Sequence, residues 1–431
     1  MSGIAADGRR PGDPLDDELA ALVEPDRVHR RVYTDPAIFD GEMRSVFGRT
    51  WTYLVHESEL PAAGDFRQVR VGRRPVLVTR GDDGAVRAVL NRCTHRGTTV
   101  ESAERGCAKR FTCPYHGWTF ANDGRLVGVP YPGNYVEMDR DRLALTGLTV
   151  ASHRGFVFGT LAPEPEPLLD WLGPAAALID DQVDRCPGGR VRVLPTALTL
   201  EYQGNWKLAW DNAADGLHAT YAHRSYNELG LSADTTTVLE RDPGATPMVA
   251  KVLGRGHMVV DQRPGIPDGP WATMRPLPFI EAPAAELRDR LGAEAERSFD
   301  LATGSMVNLS LFPNLIFVGN QLMVVEPVEV DRTRLHLFLL LADDAPEEIN
   351  LMRLRVDEDF VSFGTPDDLA MFERVQAGLS IPEVPWIDTS RGLGAPSDTV
   401  GDDGLLTGPI TSEAPQRAYL AEWLTLMTGR R

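Results

Sequence analysis

Two short segments, Cys93-Thr94-His95-Arg96-Gly97 and Cys113-Pro114-Tyr115-His116-Gly117-Trp118, constrain this chain more than anything else in its 431 residues. Each supplies one cysteine and one histidine, and 17 residues, 96 to 112, separate His95 from Cys113. A 2Fe-2S cluster of the Rieske type needs two thiolates on one iron and two imidazoles on the other, so two loops that each offer one of both fit it directly. Cys93 and His95, at i and i+2, would point the same way in extended chain, which predicts that one loop touches both irons. Glycine after each histidine lets backbone amides approach the cluster sulfides. Zinc also takes Cys and His, but its usual order is a Cys pair followed by a His pair. Cys107 and Cys186 fall outside the spacing and are expected to be spare thiols.

The rest of the composition supports a globular chain with a small-molecule or protein partner. The net charge of −18, from 44 basic and 62 acidic residues, disfavours nucleic acid and acidic membrane surfaces. No apolar run approaches the roughly 18 residues that span a bilayer, and residues 1–17 lack a signal-like stretch. Cytoplasmic location and reduced thiols are the expectation.

Three regions are expected along the chain. Residues 1–50 form a helical lead-in, with a short amphipathic stretch at 14–23 and Asp35-Pro36 as N-cap and first helical position. Residues 51–165 carry short β-branched and aromatic runs at 66–71, 75–80 and 85–90, with Asp83-Gly84 as a turn, and a further pair around Asn122-Asp123-Gly124, which predicts an all-β domain. Prolines at 163, 165 and 167 mark a boundary. Residues 166–431 are expected to form an α+β domain around an antiparallel sheet: a helix at 205–222, strands at 306–318, 322–330 and 335–341, helices at 347–360 and 367–377, and a last helix at 414–427.

A second constellation lies in the 205–222 helix and just beyond it, where Asp215, His218 and His223 read D-x2-H-x4-H. Two neutral imidazoles and a carboxylate are the facial set of iron sites that activate oxygen. Asp215 and His218 share a helical face, but His223 lies five residues further, about 140° around a regular helix. The helix is therefore predicted to end, or to open into a π-like turn, between His218 and His223.

With both constellations in view, the chain resembles the large (alpha) subunits of Rieske non-haem iron ring-hydroxylating oxygenases over nearly its whole length. The resemblance implies a Rieske domain followed by a helix-grip-like catalytic domain. It implies cluster ligands Cys93, His95, Cys113 and His116, and mononuclear iron ligands His218 and His223. Asp215 would then orient His218 and reach a Rieske histidine, His116, of a neighbouring subunit. The stretch 363–372 resembles the segment that supplies the third ligand, identifying Asp368, with Asp367 as competitor and N-cap candidate. Asp357 and Asp359 are expected on a solvated helix face. The run Gly204-Asn205-Trp206-Lys207 and the spacing Asn212-x2-Asp215 look most like the benzoate and anthranilate branch, with one departure, Asp211, where that branch usually has Glu.

The function implied is O2-dependent aromatic ring hydroxylation in aromatic catabolism, as cis-dihydroxylation of an aromatic carboxylate or related compound. No G-x-G-x-x-G follows a strand, so electrons from NAD(P)H must arrive through a separate flavin reductase or a ferredoxin. Monooxygenation or demethylation is the alternative within the class; a pure electron carrier and a zinc interaction module are alternatives outside it. The pocket is expected near Asn212 and the 306–317 strand, at Met306, Asn308, Leu311 and Phe312, with Asn308 as the group that would bind a carboxylate. The resemblance implies a trimer, commonly with a small beta subunit.

Overall fold

The computed structural model describes residues 14–228, 247–265, 281–394 and 398–430. The chain divides into two compact units, one from Met43 to Trp171, the other formed by residues up to Glu42 together with those from Leu172 onward. The expected lead-in is thus shared between the units. Asp35 does cap the helix Pro36–Ser45, its Oδ1 accepting the Ala37 amide at 2.9 Å.

In the Met43–Trp171 unit, short runs, many of them β-branched and aromatic, pair into three antiparallel sheets. Val86–Leu90, Arg74–Arg80, Asp65–Val71 and Arg105–Cys107 form the largest, in that order. Arg110–Thr112, Thr119–Ala121 and Leu126–Gly128 form a second, and Thr149–His153, Phe156–Thr160 and Thr52–His56 a third. Phe66, Leu77, Phe111, Trp118 and Phe120 pack into one buried cluster that also contains Cys93 and Cys113. The cysteine loops are therefore rooted in the core. Truncating a side chain as buried as Phe120 costs about 3–5 kcal/mol and would loosen the loops with it.

In the second unit, ten strands form one antiparallel sheet. Arg332–Ala342, Gln321–Glu329, Leu315–Val318, Val307–Leu311, His257–Asp261 and Val249–Gly254 are consecutive neighbours in it. The single strand expected at 306–318 is two strands joined by a turn at 312–314, because Pro313 has no amide to give to a ladder. The helix Ala414–Thr428 packs against Val249–Gly254 and His257–Asp261. The helices expected at 347–360 and 367–377 are one continuous helical run, Glu347–Asp359 and Thr365–Leu379, joined by a π-helical segment, Phe360–Gly364. The helix expected at 205–222 breaks early, ending at Ala213. Among the described residues no helix is long and apolar enough to cross a membrane.

Candidate functional site

The two cysteine loops have the same backbone hydrogen bonds. The Cys93 amide donates to Thr98 O at 2.8 Å and the Gly97 amide to Cys93 O at 2.9 Å; the Cys113 amide donates to Trp118 O at 2.7 Å and the Gly117 amide to Cys113 O at 3.0 Å. Each loop is a tight turn closed by a glycine at positive φ, 84° for Gly97 and 67° for Gly117, a conformation that costs a side-chain-bearing residue energy. The extended geometry expected for Cys93 and His95 is thus replaced by turns.

Both cysteines are buried free thiols, and the His95 and His116 rings lie 4.7 Å apart at 75°. Burial, followed by the neighbouring Cys113, pushes the Cys93 thiol up, while burial and the nearby His116 and Arg96 hold His95 low. Trp118 stacks on His95 at 4.8 Å, fixing its ring, whose buried Nδ1 has no hydrogen-bond partner. An orphaned polar atom beside paired thiols is costly unless something binds there, and this donor set fits a Rieske cluster. Cys107 is exposed and Cys186 is buried.

The second constellation is built on helix interruptions. After Lys207–Ala213 the chain leaves helical conformation, so Asp215 stands in an irregular link and not on the face expected with His218. Helix resumes at His218–Tyr221, stops for two turn residues, and starts again at Arg224–Glu228, which carries His223 back beside His218. Gly216 makes the link possible: its amide meets Ile410 O at 3.2 Å, and a Cβ there would sit 2.8 Å from that same oxygen.

Asp368 completes the group. It sits in the first turn of Thr365–Leu379, directly after the π segment, which shifts the register that aims it inward. Its Oδ1 lies 3.5 Å from His218 Nε2 and 3.3 Å from His223 Nε2, and one ligand atom from each of the three falls within 4.8 Å of the others. Bonds of about 2.1 Å to a shared ion would place adjacent donors about 3–3.5 Å apart, so the three fit one metal. Burial raises the Asp368 carboxyl against the opposing pull of His223, His218 and a hydrogen bond from Asn212. Its buried Oδ1 makes no hydrogen bond. His218 Nδ1 lies 2.5 Å from the carbonyl oxygen of Asp215; donating there leaves Nε2 with the lone pair a metal needs. Asp215 therefore orients His218 through its main chain, whereas the carboxylate had been expected to do so.

Asp367 is not an N-cap, because Gly364 and Thr365 are already helical. Its Oδ2 accepts from Ser225 Oγ at 3.1 Å and stands 3.7 Å from His223 Nδ1. Nor do Asp357 and Asp359 form a solvated face: Asp359 is buried, and burial pushes Asp357 up to about 6 while Gln321 donates to it.

A cavity of about 480 Å³, including its open mouth, adjoins two of the three ligand candidates, His218 and Asp368. Asn212 and Asn308 line it together with His218 and Asp368, and Ile316, Val318, Leu335, Phe360 and Phe372 supply apolar wall. Met306 is not in that wall and packs instead against Met248, Val260 and Ile410. Leu311 and Phe312 are core, Phe312 lying among the rings of Trp206, Trp210 and Tyr419. The two-residue periodicity that puts Asn308 on the cavity face cannot put a residue at the strand's strained start there; Met306 has φ 54°.

Sequence reasoning missed the π segment and Arg391, which reaches Asp215 from 176 residues away. It also missed the pair Lys207–Glu42. Lys207 Nζ lies 2.5 Å from Glu42 Oε1 with both side chains fully buried, and Glu42 also accepts from Trp206 and Trp423. Its only sequence signal was a lysine flanked by Trp206 and Leu208.

Residues 50–147 match the Rieske (2Fe-2S) domain, and residues 195–419 match the ring hydroxylating alpha subunit catalytic domain. The 2-halobenzoate 1,2-dioxygenase large subunit of Burkholderia cepacia is 34% identical, covering 94% of this chain and 90% of that one. Toluate 1,2-dioxygenase subunit alpha of Pseudomonas putida is 35% identical, covering 84% and 83%. The crystal structure of naphthalene 1,2-dioxygenase from Rhodococcus sp. bound to indole superposes with a TM-score of 0.78 at 26% identity, covering 97% and 99%.

Proposed function

This chain belongs to the large, alpha subunits of the Rieske ring-hydroxylating dioxygenases, and from that membership we propose that it cis-dihydroxylates an aromatic carboxylate held beside Asp368. As a member it works with a Rieske cluster and a mononuclear iron, and receives electrons through a partner reductase or ferredoxin in a multi-component system. When bound, the cluster supplies single electrons and the iron supplies the site at which O2 is reduced.

The chain's own residues do the rest. Cys93, His95, Cys113 and His116 hold the cluster; His218, His223 and Asp368 hold the iron. Asn212 donates to Asp368 and keeps its carboxylate aimed inward. Ile316, Val318, Leu335, Phe360 and Phe372 exclude water and face the ring. Asn308 fixes its orientation by donating its amide to the substrate carboxylate. That assignment carries the proposal: Asn308 is a polar side chain in a mostly apolar wall, and no hydrogen bond to it is made by the described residues. The described lining contains no lysine or arginine, so recognition rests on hydrogen bonds and ring burial rather than an ion pair. The names of the relatives support an acid substrate: 2-halobenzoate, toluate and anthranilate dioxygenases.

Asp215 carries electrons toward the iron from His116 of a neighbouring copy in a closed three-fold ring, with a small beta subunit completing the assembly, and the protein works in the cytoplasm. Product analysis with labelled O2, a compatible reductase and matched panels of aromatic acids and neutral arenes tests the central reading. Both labels should enter a cis-diol of an acid. Turnover of neutral arenes alone, or entry of one label, would overturn it.

A further inference from the structure

Asp215 is held from outside its own segment. Its carboxylate Oδ1 accepts the Leu217 amide at 2.8 Å and Arg391 Nη2 at 3.4 Å. Arg391 is itself fixed on three sides. Its Nη2 lies 3.2 Å from Glu413 Oε1, its amide donates to Glu413 Oε2 at 3.0 Å, and the Glu413 amide returns a bond to Arg391 O at 3.0 Å. Arg417, one turn further along the C-terminal helix, donates to Arg391 O at 2.9 Å and to Thr389 O at 2.7 Å.

We propose that Arg391 is a positioning residue for the iron site, holding Asp215 so that its carbonyl fixes the His218 ring. The inference rests on the assignment of His218 as an iron ligand.

An exposed ion pair contributes little, because water screens it and both side chains lose entropy. This one differs in its anchoring. The guanidinium is tied through its own main chain to Glu413, the residue just before the C-terminal helix, so little freedom remains to be lost. It also separates two carboxylates. Burial raises the Glu413 carboxyl, Arg391 opposes that, and Asp215 pushes it further up. Without Arg391 the two acids face each other and Asp215 is driven from its place. Because the Asp215 carbonyl and carboxylate belong to one residue, a shift of the carboxylate swings the oxygen that holds His218 Nδ1.

The test uses the full chain, cluster-loaded and stripped of mononuclear iron, titrated with Fe(II). Partners that orient a metal-bound histidine are worth 10–100-fold in affinity, so Arg391→Ala should bind Fe(II) about tenfold more weakly. The Leu217 amide should exchange faster with deuterium in the same iron-free protein. Cluster absorption and the thermal midpoint report that the variant is folded. Arg391→Lys, which restores the charge, should recover affinity. Unchanged Fe(II) affinity with unchanged Leu217 protection in Arg391→Ala overturns the inference, as does an Arg391→Lys variant as weak as the alanine. His218→Ala, run alongside, should lose Fe(II). If it binds as the parent does, the ligand assignment itself fails.

Discussion

Replacing Glu42 by Gln would leave the Lys207 ammonium without its counter-charge in a site with no access to water. Both side chains are fully buried, and Lys207 Nζ lies among the rings of Trp206, Tyr33 and Trp423 at 5.0, 5.4 and 5.9 Å. Breaking such a pair by removing one partner costs about 3–5 kcal/mol. An upper limit follows from the alternative of giving up the proton: with an unfolded pKa of about 10.4 and 1.36 kcal/mol per unit, a neutral lysine at pH 7 costs about 4.6 kcal/mol. The two values agree, so Glu42→Gln should lose about 4 kcal/mol, and at about 1.5 °C per kcal/mol for a unit of this size its unfolding midpoint should fall by roughly 6 °C. The pH dependence identifies the cause. Burial already lowers the Lys207 pKa and Glu42 opposes it; without Glu42 it falls further. The unfolded chain then binds a proton that the folded one does not, so stability rises with pH up to about pH 10. Thermal unfolding of both proteins between pH 7 and 10 should show the deficit shrinking. A deficit under about 1 kcal/mol, or one constant across that range, would refute the assignment of a buried charge pair.

Asn308→Leu should raise the KM for the acid substrate by about 10–100-fold, the value of a hydrogen bond to a charged group, with kcat little changed, as steady-state kinetics would show. Gly216→Ala puts a methyl 2.3 Å from Ile410 Cγ1 and 2.8 Å from its carbonyl oxygen; overpacking of this kind costs about 1–3 kcal/mol, and Fe(II) titration should show weakened binding, since the link carries Asp215. Burial pushes Asp211 up to about 7 against the hydroxyls of Tyr419 and Tyr33. A folded value above the unfolded one gives stability that is complete below about pH 4 and is lost as pH rises through 7, so Asp211→Asn should flatten that fall in denaturant titrations.

What could be read from the sequence was whatever short spacing fixes. The Cys-His pairs lie within three residues of each other, and the runs at 66–71, 75–80 and 85–90 are each six residues rich in β-branched and apolar types, so both were legible. The break between His218 and His223 followed from helical geometry alone. Asp368 could be placed only by resemblance, because no periodicity links it to residues some 150 positions earlier. The π segment left no sign, since Phe360–Gly364 contains no proline and its glycine is an ordinary helix interruption. Lys207 was illegible for a different reason: a lysine is buried only where a carboxylate meets it, and Glu42 lies 165 residues away.

These missed contacts share one element. Gln416 Nε2 donates to Asp211 O at 3.0 Å, the Tyr419 hydroxyl donates to the Asp211 carboxylate, and Trp423 Nε1 donates at 2.7 Å to the Glu42 that pairs with Lys207. Residues 416, 419 and 423 are spaced as one helical face, and Glu413, just before the helix, holds Arg391 and through it Asp215. The helix Ala414–Thr428 thus grips the segment from Lys207 to Asp215 at both ends. That segment carries no metal ligand itself, yet it leads into His218 and places Asn212 against Asp368. A helix interrupted twice between Lys207 and Glu228 cannot hold its own register, because each break forfeits hydrogen bonds along the axis. Its position must come from side chains outside it, and the polar groups along the C-terminal helix supply that position without touching the cavity.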